Sequence, residues 1–407
     1  MILLSSLLGT QEFCQRFINP AVEESSVSAT DRLTEFDGLK AVCYFLVFVV
    51  HAQFLSVIKT NLYISNLLLV LVIYLNSAMF LVAGFFFWRS FSRTKSVKSF
   101  LTSKFIQIFI PFVFFTWLMF FVLGDKNVIA SLNYTFCLSI FWKTIMTGAP
   151  AYYITWFIGN LLFYYVIFSL LVKYVKTEWK VLLLILAFCI FSVLLWDSTV
   201  WNPAYLYGTV PTNVPFYIPD FQLVSFLLIF YGGIVIAKYS VIERLKASFK
   251  AKIAVGLAAV ILTYLNFIGF RIESYGFPLI WFTYQGTRIA FGIVVPIVSL
   301  YFLSYISNPF FKKAVSFISK PGLFIYLSST LTILIISSLL LGRFSIDDSG
   351  LSLTQGTVML FASFGLSVLL SHGVQRSYDW LLRKASSAIS RNPSFLRVRR
   401  EEQSGQS

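Results

Sequence analysis

The chain has 407 residues, 58% hydrophobic and 12% charged, with 45 Phe, 21 Tyr, 9 Trp and a formal net charge of +15. So little charge, against the roughly 25% of a soluble domain, excludes a water-soluble globular protein and indicates a polytopic membrane protein. The positive balance does not indicate a nucleic-acid partner, because the basic residues fall between long apolar runs and form no stripe interleaved with exposed aromatics.

Residues 1–36 read as a polar lead. Met1 to Leu8 is apolar but lacks a basic n-region and is too short for a hydrophobic core plus cleavage site, and Glu23 and Glu24 follow, so a removed signal peptide is not expected and the first span is expected to serve as the targeting segment. The expected fold is all-α, a membrane helix bundle of about ten spans, each about 20 mostly apolar residues. They run over residues 39–58, 62–88, 105–123, 155–172, 181–196, 221–237, 253–270, 288–306, 323–341 and 357–371. A membrane domain over 37–371 and a basic tail over 372–407 follow. Tyr378, Trp380, Leu381 and Leu382 alternate with Arg and Ser in that tail, the pattern of an amphipathic or loose segment on the inner leaflet.

Charge distribution tests that count, since one miscounted span would exchange the sides of every later loop. With the amino terminus inside, the inner loops carry Arg89, Arg93, Lys95, Lys98 and Lys104, then Lys173, Lys176 and Lys180, then Lys238, Arg244, Lys246, Lys250 and Lys252, then Lys312, Lys313 and Lys320. The tail adds Arg376, Arg383 and others, whereas residues 197–220 on the other side hold neither Lys nor Arg. Both termini are therefore expected in the cytoplasm. The outer loops are rich in Trp, Tyr and Pro, as in Trp201-Asn202-Pro203, which fits interfacial aromatic belts and stacking platforms for a sugar equally.

One stretch stands out. Asp37-Gly38-Leu39-Lys40 opens the first span and His51 lies within it. Residues eleven apart on an α-helix are turned by only about 20° and separated by roughly 16 Å along the axis, so Lys40 and His51 share a face. With Lys40 at one membrane surface, His51 lies near the bilayer middle, where an ionisable group is a functional candidate by default and a neutral histidine bonded to a neighbouring backbone is the structural alternative. Asp37, three residues before Lys40, is placed to orient the lysine.

Several segments, in order, resemble the acyltransferase-3 family of integral-membrane acyltransferases, including its branch that succinylates periplasmic glucans. Phe36-Asp37-Gly38-Leu39-Lys40 with His51 stands where that family has an L-D-G-[LI]-R pattern and a histidine in the first span. Met79-Phe80-Leu81-Val82-Ala83-Gly84-Phe85 resembles the motif ending its second span, with Ala83 in place of Ser. Lys104-Phe105-Ile106-Gln107 leading to Pro111 resembles its R-x-x-R segment, Trp156-Phe157-Ile158 the start of its fourth span, and Phe324-Ile325-Tyr326-Leu327 a late motif. Gly38, Gly84, Pro111 and Tyr326 are thereby implied as structural positions. Lys40 and Gln107 depart from the family's arginines, and neither lysine nor glutamine reproduces a guanidinium fork on phosphate.

The resemblance implies transfer of an acetyl, succinyl or similar group from cytoplasmic acyl-CoA, as co-substrate, to a hydroxyl of a cell-envelope carbohydrate at the outer face of a bacterial inner membrane. His51 is the candidate general base or transient acyl carrier, since neutral imidazole takes a hydroxyl proton near pH 7. Lys40, Lys104 and Arg89, with Asp37, are candidates for the polyanionic donor; their alternative role is positive-inside anchoring. Trp156, Glu273 and Arg288 are candidates for the acceptor, although Arg288 equally fits an interfacial anchor. His372 reads as interfacial. No metal site, bound cofactor, GxSxG elbow or P-loop is visible, and Cys14, Cys43, Cys137 and Cys189 form no framework. The competing reading is a glycan or lipid-linked sugar transporter, which the scarcity of Asp and Glu within the spans disfavours.

Overall fold

The computed structural model describes residues 33–51, 62–94, 96–123, 155–175, 180–185, 187, 221–273, 278–342 and 352–390. All regular structure among them is helical. In chain order the helices are α1 (Thr34–His51), α2 (Leu62–Thr94), α3 (Val97–Lys104), a π turn (Phe105–Phe109), α4 (Ile110–Leu123), α5 (Thr155–Tyr174) and α6 (Phe221–Lys238). They continue with α7 (Val241–Ala247), α8 (Phe249–Glu273), α9 (Pro278–Leu303), α10 (Pro309–Ser319), α11 (Gly322–Leu341) and α12 (Leu353–Ser390).

Seven of the described helical segments are long and apolar enough to cross a membrane, or eight if α6 and α7, bent by 63° where they meet, form one broken span. The bend turns at Ser240, which takes a left-handed conformation with φ of 49°. Of the ten expected spans, those over 39–58 and 181–196 extend outside the described residues, as does the lead before residue 33.

The centre of the bundle is the seam between α2 and α6. A Cβ at Gly84 would overlap the Phe230 carbonyl, and one at Gly233 would overlap the Leu81 carbonyl. Each glycine thus admits the other helix's backbone, the close approach that small residues permit where lipid offers no hydrophobic drive for association. Around the seam Phe80, Phe87, Tyr164, Phe168 and Phe230 are wholly buried. Their rings stack and tilt against one another, Phe80 on Phe226 at 4.8 Å and Phe168 on Phe230 at 5.1 Å.

Pro111 explains the irregular third span. Proline has no N–H and its ring crowds the carbonyl one turn back, so the helix leading into it must widen or kink. Here it widens: the π turn shifts the bond so that Ile110 N–H reaches the Phe105 carbonyl. In that register the Ile106 carbonyl would be met by residue 111, which has no hydrogen to give. The Tyr378 hydroxyl donates to it instead, at 2.5 Å.

That bond comes from α12, which runs unbroken past Ser371 to Ser390. The tail expected as amphipathic or loose therefore begins as a continuation of the last span, because Val374 and Tyr378, one turn apart, pack back on the main core. Deeper in the membrane α12 is tied to α11 by hydroxyls: Ser328 Oγ lies 2.6 Å from Ser367 Oγ and 3.3 Å from Ser371 Oγ, and Ser367 also donates to the Ile325 carbonyl at 3.2 Å. Interhelical hydroxyl bonds in a bilayer contribute about 0.6 kcal/mol each, at most about 1.7. Ser367→Ala is expected to destabilise by about 1 kcal/mol, read as a drop of a few degrees in the thermal midpoint in detergent; no drop would mean that water or lipid replaces the bond at no cost.

Candidate functional site

Helix α1 carries the site. Asp37 lies in the first turn of the helix, its carboxylate near the positive end of the helix dipole, and Lys40 Nζ pairs with Asp37 Oδ1 at 2.9 Å across the i,i+3 spacing. The aspartate side chain is 6% exposed and the lysine 25%, so the ion pair holds Lys40 while its ammonium faces outward. Gly38 lies against the Leu303 side chain, 3.2 Å from where a Cβ would stand, which brings this turn close to α9.

Lys40 opens into a cavity of about 530 Å³ that Arg89, Arg93, Lys104 and Lys320 also line. Asp37 is its single carboxylate among the described residues. Four elements converge there: α1, the end of α2, the end of α3, and the turn between α10 and α11. Aromatic faces fix the cations. Lys40 lies 4.9 Å above the Phe86 ring, Arg89 5.9 Å above Phe85, and Lys104 5.5 Å and 5.9 Å above Phe100 and Tyr165. Lys104 also donates to Gln107 Oε1 at 3.4 Å, and Gln107 Nε2 to Ser103 Oγ at 3.1 Å, so Gln107 positions the lysine. Such a concentration of one sign within low-dielectric walls focuses the field and draws in anions.

A second, narrower cavity of about 190 Å³ adjoins the first, sharing Lys40 and Phe86. Its walls include Cys43, Tyr44, Ile108, Phe157 and Tyr326, so it is apolar. Gly322 lies directly beneath the Tyr44 ring, where a Cβ would overlap it. The two cavities together thus present cations at the mouth and apolar walls inward.

His51 lies farther along the same face of α1. It lines neither cavity. Its Nδ1 is buried and has no hydrogen-bond partner among the described residues, an expensive condition for a buried polar atom and one worth explaining. The structure thus gathers Lys40, Asp37, Arg89 and Lys104 into one mouth and leaves His51 deeper by about three turns.

The acceptor candidates stand on other helices, α5, α8 and α9. Trp156 and Glu273 are placed by backbone only, at the second position of α5 and the last of α8. Arg288 lies inside α9, which starts earlier, at Pro278, than the span expected from residue 288. Asn266, wholly buried on α8, donates to the Thr287 carbonyl at 3.3 Å and so joins the two helices beside Arg288. Pro111 and Tyr326 serve packing and cavity walls, with Tyr326 5.2 Å from the Phe157 ring. Arg93 and Lys320, read from sequence as topological charges, belong to the mouth. Arg93 was findable, one turn after Arg89 on the same face; Lys320 was not, because its place depends on the fold.

Residues 33–372 match the acyltransferase-3 family model, described as an acyltransferase domain. No curated protein and no solved structure matches the chain.

Proposed function

Because this chain belongs to the acyltransferase-3 family, and so is a membrane acyltransferase for groups other than amino-acyl groups, we propose that it moves an acetyl or succinyl group from cytoplasmic acyl-CoA to a hydroxyl of a cell-envelope carbohydrate. In this reading about ten spans cross a bacterial inner membrane with both termini in the cytoplasm, and the acceptor waits at the outer face. The observation that carries it is the mouth: Lys40, Arg89, Arg93, Lys104 and Lys320 around one cavity that narrows into an apolar one.

Acyl-CoA has the chemistry such a shape selects. Its phosphates are held by the cations, Arg89 and Arg93 as forks and Lys40 and Lys104 as point charges. The neutral pantetheine arm extends past Cys43 and Tyr44 toward the bilayer middle, bringing the thioester toward His51. The acceptor hydroxyl then loses its proton to the imidazole as its oxygen attacks the thioester carbonyl carbon. Collapse of the tetrahedral intermediate breaks the C–S bond, and the thiolate leaves and takes up a proton. CoA is a co-substrate, and these residues require no bound cofactor. Trp156, Glu273 and Arg288 hold the acceptor on the far side.

The test is release of free CoA from acetyl-CoA and succinyl-CoA by the purified chain, supplied with a crude envelope glycan extract. Arg89→Gln is expected to raise the KM for the donor about tenfold, equivalent to about 1.4 kcal/mol of binding, with kcat little changed. A variant with unchanged KM would remove Arg89 from the donor site. Movement of glycan into liposomes without CoA release would overturn acyl transfer in favour of transport.

A further inference from the structure

Beside the donor mouth, between α10 and α12, lies another cavity, of about 450 Å³, that the reaction does not use. Lys313 and Lys320 line it from the α10 side and Arg376 and Arg383 from α12, against the single carboxylate of Asp379. His372 closes one wall. Its ring stacks on Phe317 at 4.1 Å, and its Nε2 lies 2.9 Å from the Phe317 carbonyl. A carbonyl only accepts, so Nε2 carries the hydrogen and the imidazole clamps the two helices together. Ser316 and Gln375 add neutral hydrogen-bonding groups.

The surroundings are those of a bilayer surface. On α10, Phe310 and Phe317 are 81% and 50% exposed, and Lys313 falls between them on the same face. On α12, Trp380 and Leu381 are 51% and 55% exposed, with Lys384 4.3 Å above the Trp380 ring. Exposed aromatics interleaved with cations are the composition of helical segments at interface depth, rings among acyl chains and charges at headgroup level. Lys320 lines this cavity and the donor mouth alike, so both open on one membrane face.

We infer that the cavity between α10 and α12 is a site for a phosphate ester, the headgroup of an anionic phospholipid seated with its phosphate among Lys313, Lys320, Arg376 and Arg383. Two arginines supply the planar forks that suit phosphate, and the exposed Phe317 and Trp380 receive the glycerol and the first methylenes. The same phosphate chemistry would suit a soluble ester, and the test separates the two.

The full chain is purified in detergent, and retained lipid is counted by native mass spectrometry after adding phosphatidylglycerol or phosphatidylcholine of identical acyl chains. Wild type is expected to hold phosphatidylglycerol at least tenfold more tightly than phosphatidylcholine. Arg376→Gln with Arg383→Gln is expected to erase that preference, and the exposed Lys313→Gln alone to reduce it severalfold in a variant with no reason to misfold. Lys98→Gln with Lys250→Gln, removing equal charge elsewhere on the same face, is expected to leave it intact. An equal loss in that control would reduce the site to general attraction by a basic surface and overturn the inference. Displacement of phosphatidylglycerol by millimolar inorganic phosphate would reassign the cavity to a soluble ester and overturn the lipid.

Discussion

His51→Ala is expected to lower CoA release in the presence of acceptor by about 10²–10⁴-fold, the range general acid–base catalysis contributes, while leaving donor affinity nearly unchanged. The expectation rests on position. His51 lines neither cavity, so its loss removes no contact from the mouth, and a merely structural histidine would affect stability before turnover. Its buried Nδ1 lacks a partner among the described residues, which is costly unless the acceptor supplies one. Two variants divide the outcomes. His51→Gln keeps hydrogen bonding and volume without a base, and is expected to be as inactive as His51→Ala while unfolding at the wild-type temperature. Substantial turnover by His51→Gln would deny the imidazole a proton-transfer role; equal losses of stability and activity in both variants would make it a packing residue.

How much of this was legible without coordinates depends on the range of each relation. The Asp37–Lys40 pair and the shared face of Lys40 and His51 are matters of helical period and need nothing beyond α1. That Arg89 and Lys104 face the same membrane side follows from charge along the chain, a relation as local as the loops. Their convergence on one cavity does not, because it depends on how α2 and α3 lean on α1, and Lys320 arrives there through a turn hundreds of residues away. Tyr378 shows the limit most plainly. The sequence places it in a tail where Tyr, Trp and Leu alternate with Arg and Ser, yet it supplies the hydrogen that Pro111 cannot, to the Ile106 carbonyl 272 residues away along the chain. Proline announces that a carbonyl will be orphaned; which side chain answers is decided by the packing of α12. The same holds for Asn266, whose polarity inside an apolar span signals a bond but not its recipient.

Gly84→Val is expected to prevent recovery of a monodisperse protein. A motif can flag Gly84, but only the fold reveals that its partner is the Phe230 carbonyl and that Gly233 returns the contact at Leu81. Backbone meets backbone here, so no side-chain rotation relieves the overlap and α2 and α6 must move apart. Overpacking a core with flexible neighbours already costs about 1–3 kcal/mol; separating this seam also loosens Phe80, Phe87 and Phe230, so the cost lies at or above the top of that range. Gly84→Ala is the informative variant. It is expected to fold with a lowered thermal midpoint and a raised KM for the donor, because Phe86 and Arg89 follow Gly84 on α2 and shift with it. Gly233→Ala should reproduce both effects. The double variant should cost less than the sum, since one displacement accommodates both methyl groups. Gly365, on α12 with nothing within 4 Å of a Cβ position, is the control. Its alanine variant should be neutral or stabilising by up to about 1 kcal/mol, the ordinary helical preference of alanine over glycine. If Gly84→Ala behaved like Gly365→Ala, α2 and α6 would not be in contact at this seam, and the position of Arg89 beside Lys40 would need another cause.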